Sequence, residues 1–388
     1  MRILYVHHNP DLYGASRSLL RLVRALDSAR FEPVVVVPET GPLCPLLEAA
    51  GAEVVVEPRL SVVTRPARRW RRIVPFLLGI PLSALALRRL IGRRRIELVH
   101  ANTGVVVSSG LAARLAGVPH VWHIRDSFQE FPVLWRLYSR YVLATSRRVI
   151  AVSRAMAAQF RDDPRVTVIP NGVAPSEFPR PDATELGAFR SRHRLEGALV
   201  VGCVGRLKLV RKGQETLLAA AALLKRRGHR ARFLFVGAPY RGNEAHLASL
   251  EDLRDRLGLR GEVVFAGELH DPRLAYAVMD VFVLPSAQPE PFAGVVLEAM
   301  AMSLPVVATR CGGSAEQVVD GVTGVLVEPA DPEALADAIE PLLRDEPLRR
   351  RMGAAGLERV VRCFSPERMA ERIQGVYFEA AFKKRASK

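Results

Sequence analysis

Lysine is absent from the first 180 residues of this 388-residue chain, although arginine occurs there 26 times. Cysteine is scarce as well. Cys44, Cys203, Cys311 and Cys363 are the four examples, far apart and with no CxxC among them. That excludes a disulfide-stapled scaffold and a zinc site built on cysteine pairs, and it points to a reducing cytoplasm. No trio of acids and histidines has metal-ligand spacing, so no metal is expected. No Walker A sequence occurs, and Gly202-Cys203-Val204-Gly205 falls short of the GxGxxG dinucleotide fingerprint. Long apolar runs are missing too. The nearest approach to one, Ile73 to Leu87, holds 15 residues and contains Pro75, Gly79 and Pro81, against the ~20 that a membrane span needs. The opening MRILYVHHN reads as a strand and has neither the apolar region nor the cleavage site of a signal peptide.

What is present is an ordinary globular composition, 49% apolar and 25% charged, which excludes disorder of the whole chain. The length suits two or three domains. Charge is uneven. Residues 1–180 set 26 Arg against 13 acids, leaving +13, whereas residues 181–388 set 30 basic residues against 27 acidic, leaving +3. Residues 65–95 hold ten Arg and no acid, with Arg68, Arg69, Arg71 and Arg72 before the apolar stretch and Arg88 and Arg89 after it. Such a segment suits peripheral membrane contact, apolar side chains entering the headgroup boundary while arginines meet anionic lipid. It equally suits a buried helix with solvated arginine flanks. Nucleic acid is not expected, because no zinc-finger, RNP or helix-turn-helix pattern accompanies the basic residues.

Short Val- and Ile-rich runs alternate with helical stretches twice along the chain. RILYVHH, EPVVVVP, AEVVVE, IELVHAN, PHVWHIRD, RVIAVS and VTVIPNGV read as strands in the first half. LVVGCVGRL, ARFLFVGA, EVVFAGE, DVFVLPS, PVVATR and GVLVEP follow in the second. Runs apolar on both faces are those of parallel sheets buried under helices. Residues 175–197 lose the period, carry prolines and read as a linker with a short helix. The expected fold class is therefore α/β, two doubly wound Rossmann-like domains facing across a cleft. Residues 1–180 form the first, residues 181–365 the second, and residues 366–388 a helix returning to the first, ending in a basic KKR-K tail.

Chemistry concentrates in Pro289 to Met302, PEPFAGVVLEAMAM. Gly294 opens an apolar helix, and a helix N-terminus presents free N–H groups to anions. Backbone from Phe292 through Ala293 and Gly294 to Val295 would cradle a phosphate, with Glu290 and Glu298 accepting hydroxyl hydrogen bonds on either side. A sugar nucleotide has that order of groups. Upstream, GRLKLVRKG supplies Arg206 and Lys212, cations that would neutralise a departing diphosphate. Read without context, two glutamates eight apart mean little; the surrounding loops give them weight.

This block resembles the retaining glycosyltransferases of family 4, which have the GT-B fold. The matching residues are Gly205-Arg206-Leu207, Lys212-Gly213, Phe235-Val236-Gly237, Phe265-Ala266-Gly267, Glu290 through Glu298, Gly312-Gly313, Glu316, and Asp320 to Gly324. The first half matches more loosely, through Gly14, His123 and Pro170-Asn171-Gly172-Val173. The resemblance implies that Arg206 and Lys212 grip the diphosphate, Glu298 the ribose and Glu290 the transferred sugar. It places Gly14 beside the phosphates and His123 near the reacting sugar. Asp126 would orient His123 or bind the acceptor, and Asn102 is a further candidate for acceptor binding or orientation. Departures exist: Tyr13-Gly14-Ala15 replaces a Gly-Gly pair, and Pro291-Phe292-Ala293 replaces Gly-Phe-Gly.

The expected function is retaining, metal-independent transfer of a hexosyl group from a nucleoside-diphosphate sugar, without a further cofactor. The acceptor would be a glycan or lipid-linked sugar at the inner face of the cell membrane, in surface polysaccharide or glycolipid synthesis. The alternatives are a sugar-nucleotide epimerase or phosphorylase on the same fold, or a basic non-catalytic binding module.

Overall fold

The computed structural model describes residues 1–62, 70–127, 132–240, 242–269 and 271–382, without the side chains of 70–77 and 132–134. Arg65, Arg68, Arg69 and the KKR-K tail lie outside the described residues. The chain divides into two compact units, Met1–Gly172 with Pro366–Lys388, and Val173–Ser365.

Each unit is built on one parallel sheet. The first contains β1 (Arg2–Val6), β2 (Glu32–Val37), β3 (Glu53–Val56), β4 (Leu98–Ala101), β5 (His120–Ile124), β6 (Arg148–Ala151) and β7 (Val166–Val168), ordered β3-β2-β1-β4-β5-β6-β7. The second contains β8 (Leu199–Val204), β9 (Ala231–Val236), β10 (Val263–Gly267), β11 (Val281–Leu284), β12 (Val306–Thr309) and β13 (Gly324–Val327), ordered β10-β9-β8-β11-β12-β13. The order reverses between β1 and β4 in one sheet and between β8 and β11 in the other. Ligands of open α/β sheets bind outside the carboxyl ends of the strands at such reversals.

Strand residues are apolar on both faces because both faces are covered. Ile3, Tyr5, Val35 and Val37 enter one core with Leu19, Leu22, Met369, Ile373 and Tyr377. Leu4, Val6, Val34 and Val36 enter the other with Leu87, Ile91, Ala112 and Ala113. The final helix, Pro366–Phe382, thus completes the first unit's core. In the second unit Val201, Phe233, Phe235, Val283 and Val307 pack under the helices Gln214–Arg226 and Pro332–Arg344.

Two expectations need correction. The first unit ends at Gly172 rather than at residue 180, because the Val173 N–H donates to the Phe364 carbonyl at 2.8 Å and Phe178 packs edge-on against Tyr276. Residues 175–197, expected as a linker with a short helix, do hold that helix but are packed into the second unit. They contain a helical turn at Pro175–Glu177 and a helix at Ala183–Arg192, whose N-terminus Asp182 caps, and Phe178, Phe189 and Leu195 are buried. That helix buries only Phe189, which leaves no apolar stripe to read in the sequence.

The apolar stretch Ile73 to Leu87 forms the middle of the helix Trp70–Arg93. Ser83, Ala84, Ala86, Leu87 and Ile91 face the core, while Leu78 and Leu82 are 65% and 62% exposed and Leu85 is exposed beside them. Among the described residues no helix is long and apolar enough to cross a membrane.

The first unit buries His7, His100, His120 and His123 completely or nearly so. Desolvation pushes each far below the ordinary imidazole value, His120 to about 3. The folded chain therefore holds them neutral, while the unfolded chain protonates them near pH 6.5. Below that pH the unfolded state binds more protons, so stability falls on acidification, by about 1.4 kcal/mol per pH unit for each such histidine. Thermal scans between pH 7.5 and 5 should show the midpoint dropping steeply below pH 6.5. A flat profile over that range would mean that these rings are solvated.

Candidate active site

At the reversal in the second sheet, the loops after β8 and β11 are fastened together. The Arg211 carbonyl accepts from the N–H groups of Ala287 and Gln288 at 3.0 and 3.2 Å. Gly213 is required there: its φ is +63°, and a Cβ would lie 1.9 Å from the Pro285 carbonyl oxygen. The next contact is the central one. Lys212 Nζ donates to Glu290 Oε1 at 2.6 Å, and the Ser286 hydroxyl donates to the same oxygen at 3.0 Å. Glu290 is buried and Lys212 partly so, which weakens solvent screening of this ion pair.

The Gly-Gly pair after β12 presses on the other side of the glutamate. Gly313 N–H donates to the Glu290 carbonyl at 2.8 Å, and a Cβ on Gly312, at φ +65°, would lie 2.3 Å from that oxygen. The helix Gly294–Ala301 then starts from an extended Ala293, and no side chain caps its N-terminus. Gln317 fixes the entry by donating to the Ala293 carbonyl at 2.8 Å. Phe292 and Ala293 are buried, whereas Gly294 and Val295 are partly exposed.

Glu298 folds back along its own helix. Its Oε1 lies 4.0 Å from the position a Gly294 Cβ would take, and its Oε2 accepts from the buried Tyr276 hydroxyl at 2.9 Å. The Arg206 guanidinium is stacked over Tyr240 at 4.9 Å. Cys203, at the end of β8, is buried with its thiol pushed up to about 12, which makes it a packing residue rather than a nucleophile.

In the first unit the loop after β1 is tied by a relay of polar contacts. Asn102 Nδ2 donates to His7 Nδ1 at 3.0 Å and to the Ala15 carbonyl at 3.2 Å. His7 Nε2 reaches the Ser16 hydroxyl at 2.9 Å, and Ser16 donates to Asp11 at 2.6 Å. Gly14 opens the helix Gly14–Arg24 and is exposed, with no atom of the described residues within 4 Å of where a Cβ would stand. His123 lies fully buried at the end of β5, and its Nδ1 faces the Arg125 guanidinium at 3.2 Å. The Asp126 charge acts on His8 and Arg125.

The sequence reading missed Tyr276, Ser286, Gln317, His7 and Arg125. Ser286 and Gln317 sit in segments already singled out. Tyr276 and Arg125 carry no local signal, because their partners are remote in sequence or hidden among many arginines.

The group described as "Glycosyltransferase Family 4" matches residues 13–177, and "Glycosyl transferases group 1" matches residues 188–359. A GDP-mannose-dependent alpha-(1-6)-phosphatidylinositol monomannoside mannosyltransferase of Mycolicibacterium smegmatis is 31% identical over 352 residues, which cover 82% of this chain and 90% of that relative. The chain is a family 4 glycosyltransferase. A D-inositol 3-phosphate glycosyltransferase of Corynebacterium diphtheriae is 40% identical over 190 residues, or 47% of this chain and 43% of that relative's length. Among solved structures, Anabaena HepE in complex with UDP and glucose superimposes with a TM-score of 0.82 at 24% identity, over 97% of this chain and 99% of that one. That likeness shows the GT-B fold, with its two parallel-sheet α/β domains.

Gly312→Ala and Gly321→Ala separate backbone strain from crowding in this family 4 site. Both glycines have positive φ, +65° and +74°, but among the described residues a Cβ on Gly321 meets nothing within 4 Å. Each variant should lose about 1–2 kcal/mol from the left-handed backbone, and Gly312→Ala a further ~1–3 kcal/mol from overpacking against Glu290. Calorimetric melting of both proteins checks the ranking; equal losses would mean that the loop around Glu290 yields freely.

Proposed function

We propose that this glycosyltransferase moves a hexosyl group, with retention and without a divalent metal, from a nucleoside-diphosphate sugar to a lipid-linked or glycan acceptor at a membrane surface. The observation that carries the reading is the partly shielded Lys212–Glu290 pair beside an uncapped helix N-terminus at a strand-order reversal. A diphosphate arriving there meets the Lys212 ammonium and free backbone N–H groups. Arg206, on the same loop after β8, adds a second cation, so charge on the departing group is neutralised by side chains. Among the described residues no group of three His, Cys, Asp or Glu side chains is placed to hold a metal. Relatives named as acting on GDP-mannose, on inositol phosphate and in lipopolysaccharide core synthesis support the donor and acceptor classes.

In this reading Glu298, fixed by Tyr276, holds the ribose hydroxyls and Glu290 the transferred sugar. His123 serves that sugar, with Gly14 near the phosphates and Asn102 setting the geometry of its loop. Asp126 is assigned to the acceptor. Transfer follows a front-face course. The bond from the anomeric carbon to the diphosphate oxygen breaks, the acceptor oxygen bonds to that carbon on the same face, and the acceptor proton passes to the departing diphosphate. No protein nucleophile is required.

Lys212→Ala should lower turnover roughly a hundredfold or more, as for loss of a transition-state charge contact. Glu298→Ala should act mainly on nucleotide affinity, because a ribose contact is equal in ground and transition states. Glu290→Ala should act mainly on turnover. Steady-state kinetics with a panel of UDP-, GDP-, ADP- and TDP-sugars reads all three. Turnover abolished by EDTA and restored by magnesium would sink the metal-free assignment.

The exposed Leu78, Leu82 and Leu85 form an apolar stripe at helical spacing, followed by Arg88 and Arg89. Such a stripe beside a basic run suits the headgroup boundary of an anionic bilayer. The protein should co-sediment with anionic vesicles at low salt and detach as salt rises. Leu78→Gln with Leu82→Gln should abolish that binding while leaving sugar-nucleotide affinity unchanged. Undiminished sedimentation of the double variant would remove this helix from the membrane surface.

A further inference from the structure

Arg125 is buried and its hydrogen-bond partners are neutral, although the Asp126 charge acts on it as well. Its Nε donates to the Asn102 carbonyl at 3.0 Å and one NH2 hydrogen to Asn102 Oδ1 at 3.3 Å. NH1 donates to Asn171 Oδ1, and NH2 also lies 3.2 Å from His123 Nδ1. Asn171 is in turn held by the Ser18 hydroxyl at 2.9 Å. The guanidinium therefore spans the ends of β4 and β5 and the segment after β7, and its plane is set by three backbone segments.

A guanidinium has five N–H donors and no acceptor. An imidazole nitrogen within hydrogen-bond distance of it must accept, so Nδ1 of His123 carries no proton. A neutral ring then bears its proton on Nε2. That nitrogen is buried and has no hydrogen-bond partner among the described residues. An imidazolium is excluded on two grounds: an Nδ1–H would face an N–H, and two positive charges would meet in a site without solvent. Burial draws Arg125 down to about 9, which still leaves it charged at neutral pH, and burial together with Arg125 holds His123 far below its usual value.

We propose that Arg125 is the positioning residue of His123, locking it as the neutral Nε2–H tautomer so that it acts only as a hydrogen-bond donor. The inference deepens the proposed reading, in which His123 serves the transferred sugar. It turns that histidine from an acid or base into a fixed donor toward a sugar hydroxyl. The other groups facing the ring do not compete for this role. His100 of β4 stands edge-on at 5.3 Å, and behind it the Tyr377 hydroxyl of the final helix shares a 2.8 Å hydrogen bond with His100 Nδ1. His100 is buried and burial holds it far below its usual value as well.

The test is long-range proton–nitrogen NMR of the full chain labelled with nitrogen-15 histidine, the His123 signals being identified by their loss in His123→Gln. The wild-type ring should show a bare Nδ1 and a protonated Nε2 throughout pH 5.5–8. A proton on Nδ1 at any pH in that range overturns the proposal without recourse to a variant at 125. Arg125→Lys retains a donor-only cation and should keep both the tautomer and turnover. Arg125→Met removes the donor and should allow a proton onto Nδ1, lowering turnover roughly ten- to hundredfold while KM for the donor changes by less than about threefold. If Arg125 were only packing, Lys and Met would lose turnover alike with the tautomer unmoved, and the proposal would fall. Full turnover in His123→Gln would instead refute the sugar-facing reading, leaving the tautomer assignment to be decided by the spectra.

Discussion

All strands within each sheet run the same way, and this sets where chemistry can occur. Parallel pairing puts every carboxyl end on one edge, and reversal of strand order opens a place where neighbouring loops diverge. In the second unit that place receives the loops after β8 and β11, which carry Lys212 and Glu290. In the first it receives Asn102 after β4 and the His7 to Gly14 segment after β1. The functional groups come from segments far apart in sequence because parallel strands require long crossovers.

The two units stabilise their polar groups by different means. Around Glu290 the device is a partly shielded ion pair braced by glycines, where backbone approaches too closely for any Cβ. Around His123 it is a buried cation held by neutral amides and an imidazole. A buried ion pair left with one partner is strongly destabilising, so Lys212 and Glu290 constrain each other's replacement. The arginine of the first unit has neutral hydrogen-bond partners, with the Asp126 charge also acting on it. Such networks are costly when incomplete and rigid when complete, which suits a group whose task is orientation.

Much of the second unit was legible in the sequence. The segment PEPFAGVVLEAMAM keeps Glu290, the helix start and Glu298 within one short stretch, and the family resemblance covers the flanking loops. Tyr276 was not legible, because its hydroxyl meets Glu298 across 22 residues of chain. Arg125 was hidden by composition. In a chain with 56 basic residues, one arginine in HIRDSF has no mark that separates it from solvated neighbours. The adjacent Asp126 drew the reading instead, since a carboxylate is the usual partner of an imidazole.

The sequence by itself determined the parallel α/β class, the two-fold repetition of the strand pattern and the residues of the glutamate-bearing segment. These follow from local periodicity and from groups a few residues apart, which any conformation of that segment keeps together. Tertiary structure alone decided which face of the Trp70–Arg93 helix is core and which exposes Leu78, Leu82 and Leu85, because both faces are apolar and only the sheet chooses between them. It alone made residues 175–197 part of a folded unit, through Phe178, Phe189 and Leu195. It also gave His123 a guanidinium as partner. That arrangement depends on Asn102 and Asn171 arriving from other strands, contacts that exist only once the sheet has formed.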